Sequence, residues 1–141
     1  MAARVSFFRE VETKEYYRKY KIKTVHGIDD YAMMREALER MARGILEGRE
    51  KFIPDLIMID GGKGHLAAAS SVLKNAGLAA IPVIAIAKKL ELVYTEGESE
   101  PVPLIAGGLA HNLLRRIRDE AHRFAISYHR QLRGKEMSIS I

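Results

Sequence analysis

The 141 residues contain no cysteine, which removes disulfides, thiolate nucleophiles and cysteine-ligated zinc from consideration. No run of eighteen or more apolar residues occurs, so no segment reads as a membrane span. The opening MAARVSFFREVETKE lacks the apolar centre of a secretory signal, because Arg4, Arg9 and Glu10 interrupt it. Repeats, low-complexity tracts and linkers are missing as well. What is left is a soluble cytoplasmic protein read as one unit over residues 1–141, with 48% hydrophobic residues to build a core.

Charge is distributed unevenly. The net charge is +5, with seven basic residues between Arg4 and Lys23, seven more between Arg115 and Lys135, and a small acidic stretch from Glu91 to Glu100. Two basic ends that converge on one face would suit a polyanion; an ordinary solvated surface accounts for so modest a charge equally well.

Periodicity outlines the elements. RVSFFRE and KEYYRKYKIKTV are rich in β-branched and aromatic residues around Val-Glu-Thr, the pattern of a hairpin. HGIDDYAMMREALERMARGILEG carries Tyr31, Met34, Ala37 or Leu38, Met41 and Ile45 at helical spacing, with Asp29 and Asp30 at its start. IPDLIMID and IPVIAIAKK are short continuous apolar runs, as in strands covered on both faces. LAAASSVLKNAG predicts a helix closed at Asn75-Ala76-Gly77. LELVYTEGESEPVPLI predicts a hairpin with an acidic turn, and GLAHNLLRRIRDEAHRFAISYHRQLRG one long helix. The order β-β-α-β-α-β-(ββ)-α predicts an α/β fold, a mixed sheet with helices packed on it.

The long helix separates into sectors at about 100° per residue. Leu113, Leu114, Ile117, Ala121, Phe124, Tyr128 and Leu132 form a core stripe. His111, Arg115, Arg118, His122 and His129 make a second strip beside it, and Arg116, Asp119, Arg123 and Arg130 face the side expected to meet solvent. Surface histidines are commonly just hydrogen-bonded boundary groups. Grouped with arginines they also suit a phosphate-bearing substrate, since arginine forks bind phosphate bidentately and histidine moves protons near neutral pH.

In DLIMIDGGKGHL, Asp60 ends a strand and runs into glycines. GGKG fails as a phosphate loop, because Lys63 is followed by Gly64 and His65 with no hydroxyl to hold magnesium, and G-x-G-x-x-G fails as well. Functional groups collect at the carboxyl ends of strands, where a carboxylate suits Mg²⁺ or Mn²⁺. An Asp-Gly turn or helix cap explains Asp60 with no chemistry at all.

Three stretches, PDLIMIDGGKGHL, IPVIAIAKK and NLLRRIRDEAHRFAISYHRQLR, resemble the C-terminal nuclease domain of the UvrC family, a component of the bacterial UvrABC excinuclease. YYRKYKIKTVHGIDDYAMMREALERM resembles the segment before them, so that the likeness runs in order from Val5 to Arg133. The resemblance implies a ribonuclease H-like fold and metal-dependent hydrolysis of a DNA phosphodiester, the incision 5′ to a lesion in nucleotide excision repair. It implies Asp60 and His122 as catalytic residues, Asp60 as a ligand of Mg²⁺ or Mn²⁺, and Asp30 as a third acid, which at the start of a helix also complements the dipole. Lys63, Arg115 and Arg118 are expected, from position, to hold the strand's phosphates. Damaged double-stranded DNA is the implied partner, with UvrB bound through regions outside this chain and UvrA engaged indirectly.

The chain departs from that pattern in several places. It lacks the family's first strand, with its Asp-Ile-Ser-His motif and metal-binding aspartate, so an N-terminally truncated domain is expected. IAGGLAHNLL replaces a more polar approach to the last helix, and the helix-hairpin-helix region, N-terminal incision domain and UvrB-binding segment are not seen. Little or no nuclease activity is therefore expected of the isolated chain, together with an open sheet edge beside Asp60's strand. A DNA- or protein-binding module without catalysis, and a nucleotide-phosphate enzyme using GGKG, are the competing readings.

Overall fold

The computed structural model describes residues 2–20, 30–87 and 92–139, and side chains at 4–15, 17, 31–87 and 92–127. Among the described residues eight strands and three α-helices follow in order: β1 (Ala2–Arg4), β2 (Phe7–Phe8), β3 (Val11–Glu12), β4 (Arg18–Tyr20), α1 (Asp30–Leu46), β5 (Ile57–Asp60), α2 (Lys63–Asn75), β6 (Val83–Ile86), β7 (Leu92–Thr95), β8 (Val102–Pro103) and α3 (Leu109–Ile139), with a single 3-10 turn at Lys14–Tyr16.

A four-stranded sheet in the order β5-β6-β7-β8 forms the centre. β5 and β6 are parallel and are joined through α2, while the β6–β7 and β7–β8 pairs are antiparallel. Pleat alternation then assigns every side chain to a layer. Ile57, Ile59, Val83 and Ala85 face α1 and α2, and bury with Leu38, Met41, Leu66, Ala69, Val72 and Leu73. Met58, Ile84, Ile86 and Val93 face the other way, against Leu114 and Ile117 of α3. The register agrees: Ile59 lies beside Ala85 on one face, and Asp60 beside Ile86 on the other. Mixed α/β architecture with helices on both faces of the sheet is the ribonuclease H-like arrangement expected. α2 ends as the sequence predicts, with the Leu78 N–H reaching back to the Leu73 carbonyl. Among the described residues no helix is long and apolar enough to cross a membrane.

The N-terminal region differs from the single hairpin expected around Val-Glu-Thr. β1 pairs with β4, and a smaller ribbon of β2 and β3 is inserted between them. Its turn is Arg9-Glu10, both at positive φ (51° and 68°), the backbone that a two-residue hairpin requires. Neither residue is the usual Gly or Asn, so the sequence carries no signal for this turn. Among the described residues these strands form separate two-stranded sheets. Side chains tie them to the rest: Arg4 makes a bidentate pair with Glu50 at 3.1 Å, and Tyr17 bonds to Glu120 of α3 at 3.1 Å. Residues 21–24 of the expected hairpin, Asp29, and Lys88–Glu91 after β6 lie outside the described residues.

Candidate functional site

Asp60 is the last residue of β5, and alternation places it with Met58 on the α3 side of the sheet. α3 lies there because Leu114 and Ile117 bury against Met58, Ile84, Ile86 and Val93. About two helical turns beyond Leu114, the same helix presents His122, whose Nε2 lies 2.8 Å from Asp60 Oδ2. Two residues 62 positions apart thus meet at the carboxyl end of a central strand. Their side chains remain 59% and 42% exposed, open enough for a macromolecular substrate to reach both.

A carboxylate oxygen only accepts at neutral pH, so Nε2 carries the hydrogen and donates it to Oδ2. In the neutral imidazole this leaves Nδ1 as the acceptor, and the carboxylate sets the ring's orientation and tautomer. Among the described residues no third His, Asp or Glu gathers with this pair to complete a metal-binding group. The donor set is one carboxylate and one imidazole. That set suits a hard divalent ion which takes its other positions from water and substrate oxygens, and not a closed structural site.

The other expected site residues are placed as follows. Asp30 is the first residue of α1, and its side chain lies outside the described set. Lys63 opens α2, and its Nζ donates to the Ser99 carbonyl at 3.0 Å in the acidic β7–β8 turn. Arg115 is exposed and Arg118 half-buried on α3. His111 belongs elsewhere, since its Nδ1 accepts from the Gly107 N–H at 3.3 Å and closes the start of α3. The side chains of Tyr128, His129, Arg130 and Leu132 are outside the described residues.

The side of α3 expected to meet plain solvent is not plain. Arg116 pairs with Glu12 at 3.2 Å, donates to the Glu10 carbonyl and lies over the Phe7 ring. Arg123 pairs with Glu120. β1 lies on both α1 and α3, and the described arginines Arg4, Arg116 and Arg123 pair with Glu50, Glu12 and Glu120. Helical spacing shows which residues share a face and says nothing of what another segment brings to it.

Sequence reasoning also missed the anchor of α3. The Tyr17 hydroxyl donates to Glu120 Oε2, and its ring meets Phe124 edge-on with centroids 5.0 Å apart. Burial, then the hydrogen bond and negative charge of Glu120, push the Tyr17 phenol up to about 12. The Arg123 guanidinium, with help from Tyr17, holds Glu120 below the usual carboxylate range. Glu120 and Phe124 flank His122 in sequence, so this anchor fixes α3 to the N-terminal region within one turn of the histidine. An aromatic in a β-rich segment gives no hint of such a partner.

The likeness to known proteins covers the same elements. The model of the UvrC RNase H endonuclease domain matches residues 1–126. The UvrABC system protein C of Gloeobacter violaceus is 44% identical over 144 residues, covering 99% of this chain and 23% of that protein. Its namesake from Chlorobaculum tepidum is 47% identical over 134 residues, covering 95% of this chain and 21% of that protein. The chain spans between a fifth and a quarter of the length of these relatives. Its matched region takes in the Asp60 strand, the glycine-rich turn and α3 as far as Ile126, and the chain belongs to the UvrC RNase H endonuclease domain family.

Proposed function

We propose that this chain is the phosphodiester-cleaving domain of a UvrABC-type excision system, cutting damaged double-stranded DNA on the 5′ side of a lesion. The observation that carries the reading is the 2.8 Å contact between His122 Nε2 and Asp60 Oδ2 at the end of β5. Asp60 is the residue to hold a divalent cation, and bound Mg²⁺ or Mn²⁺ supplies the charge that polarises a phosphate and acidifies water. His122, oriented by Asp60, moves the proton of the attacking water or the leaving oxygen. Asp30, the first residue of α1, serves the same incision as a ligand or as a support. Arg115, Arg118 and Lys63 hold backbone phosphates, Lys63 with ammonium protons to spare beyond the one given to Ser99. Contact with UvrB, and with UvrA through it, belongs to the whole assembly.

The test replaces the matching segment of the Chlorobaculum tepidum relative with this chain and measures incision of a lesion-bearing duplex with UvrA, UvrB and Mg²⁺ or Mn²⁺. Asp60→Asn and His122→Ala should each reduce 5′ incision at least about 100-fold with binding of the duplex unchanged, as loss of a proton-transfer or metal group does. Equal incision by wild type and Asp60→Asn would remove Asp60 from the chemistry, and duplex binding without incision by the wild-type chimera would leave the binding-module reading in its place.

A further inference from the structure

The glycine-rich turn after Asp60 has a structural occupant. His65 folds back from the first turn of α2 so that its Nδ1 accepts a long hydrogen bond, 3.4 Å, from the Gly62 N–H. A Cβ at Gly61 would lie 2.5 Å from His65 Cγ and 2.6 Å from its Nδ1, distances that no side chain tolerates. The imidazole stacks on Tyr31, with centroids 4.2 Å apart and planes at 12°. The Tyr31 hydroxyl in turn lies over Gly64, where a Cβ would come within 2.5 Å of it.

From this arrangement we infer that Tyr31 and His65 are positioning residues for Asp60, a ring stack that locks the start of α1 onto the turn bearing the carboxylate. The inference rests on the nuclease reading for its purpose and on the contacts alone for its geometry. Tyr31 is the second residue of α1, directly after Asp30. His65 is the third residue of α2, and its ring sits on the backbone that leaves Asp60. The stack is therefore the bridge between two acid-bearing elements of the proposed site. It also explains two of the three glycines in GGKG: Gly61 makes room for an imidazole and Gly64 for a phenol, with no phosphate involved. The Nδ1 acceptor requires the Nε2–H tautomer of His65, and the near-parallel rings form a stacked pair.

The test uses the intact chain, with histidines labelled with ¹⁵N and ¹³C, and follows the His65 and His122 ring resonances by NMR without metal or DNA. In wild type, the His65 ring protons should show the upfield shift of a stacked imidazole. Tyr31→Ala should abolish that shift and move the His122 resonances, because the carboxylate it bonds is no longer held. Tyr31→Phe keeps the ring and should retain both signals. Gly64→Ala should act like Tyr31→Ala by displacing the phenol, although alanine is the better helix former. Tyr31→Leu replaces Tyr31→Ala if the latter does not fold. A His65 spectrum indifferent to Tyr31 overturns the stack, and a His65 response with His122 unmoved overturns its positioning role. A wild-type chimera without incision activity would defeat the nuclease reading instead, and the NMR result stands apart from it.

Discussion

Replacing Tyr17 with Phe removes one oxygen and leaves the edge-on contact with Phe124 in place. At neutral pH the change costs the 3.1 Å hydrogen bond to Glu120, about 1.5–2 kcal/mol for a part-buried bond to a carboxylate. The pH dependence separates this bond from simple packing. The phenol ionises at about 12 in the folded chain against 10.0 for an ordinary tyrosine, so folding favours the protonated form. Its contribution is complete below pH 10 and is lost as pH rises through 12. Linkage makes the loss about 1.4 kcal/mol by pH 11 and about 2.3 kcal/mol by pH 12. The stability curves of wild type and Tyr17→Phe should therefore converge from pH 10 and cross at about pH 11–12. Urea unfolding across that range measures the gap. The difference in tyrosinate absorbance between the two proteins isolates one of the six tyrosines. A gap that stays constant with pH, or a difference titration centred near that of free tyrosine, would refute the reasoning.

Two further outcomes are expected. Leu114→Ala, at the buried contact between α3 and the sheet, should destabilise the fold by about 2–4 kcal/mol, and a loss below about 1 kcal/mol in urea unfolding would contradict the packing described. Lys63→Met should lower the slope of log affinity for duplex DNA against log salt by about 0.9, one phosphate contact; fluorescence anisotropy showing an unchanged slope would confine Lys63 to its bond with Ser99.

Several features of this protein could be read from local sequence because they depend on local physics. The apolar runs at 57–60 and 83–86 form the strands they predict, and period-two alternation alone puts Asp60 on the face opposite Ile57 and Ile59. Helical periodicity likewise separates Leu114 and Ile117 from Arg115 and His122 on α3. The Arg9-Glu10 turn was not legible, because its positive φ values are imposed on residues that do not favour them. Nor were the partners of Arg116 and Arg123, or the capping role of His111, since periodicity sorts residues by direction and is silent on what lies in that direction.

The division between sequence and tertiary structure runs through DLIMIDGGKGHL itself. Sequence determined that a buried strand ends on a carboxylate and breaks at glycines, because hydrophobic alternation and backbone freedom act over a few residues. Only the tertiary structure decided what surrounds that carboxylate: His122 brought 2.8 Å away by the packing of α3, and the Tyr31–His65 stack that occupies the glycine turn. Those contacts join residues tens of positions apart, and only burial of the two apolar layers holds them in reach of one another.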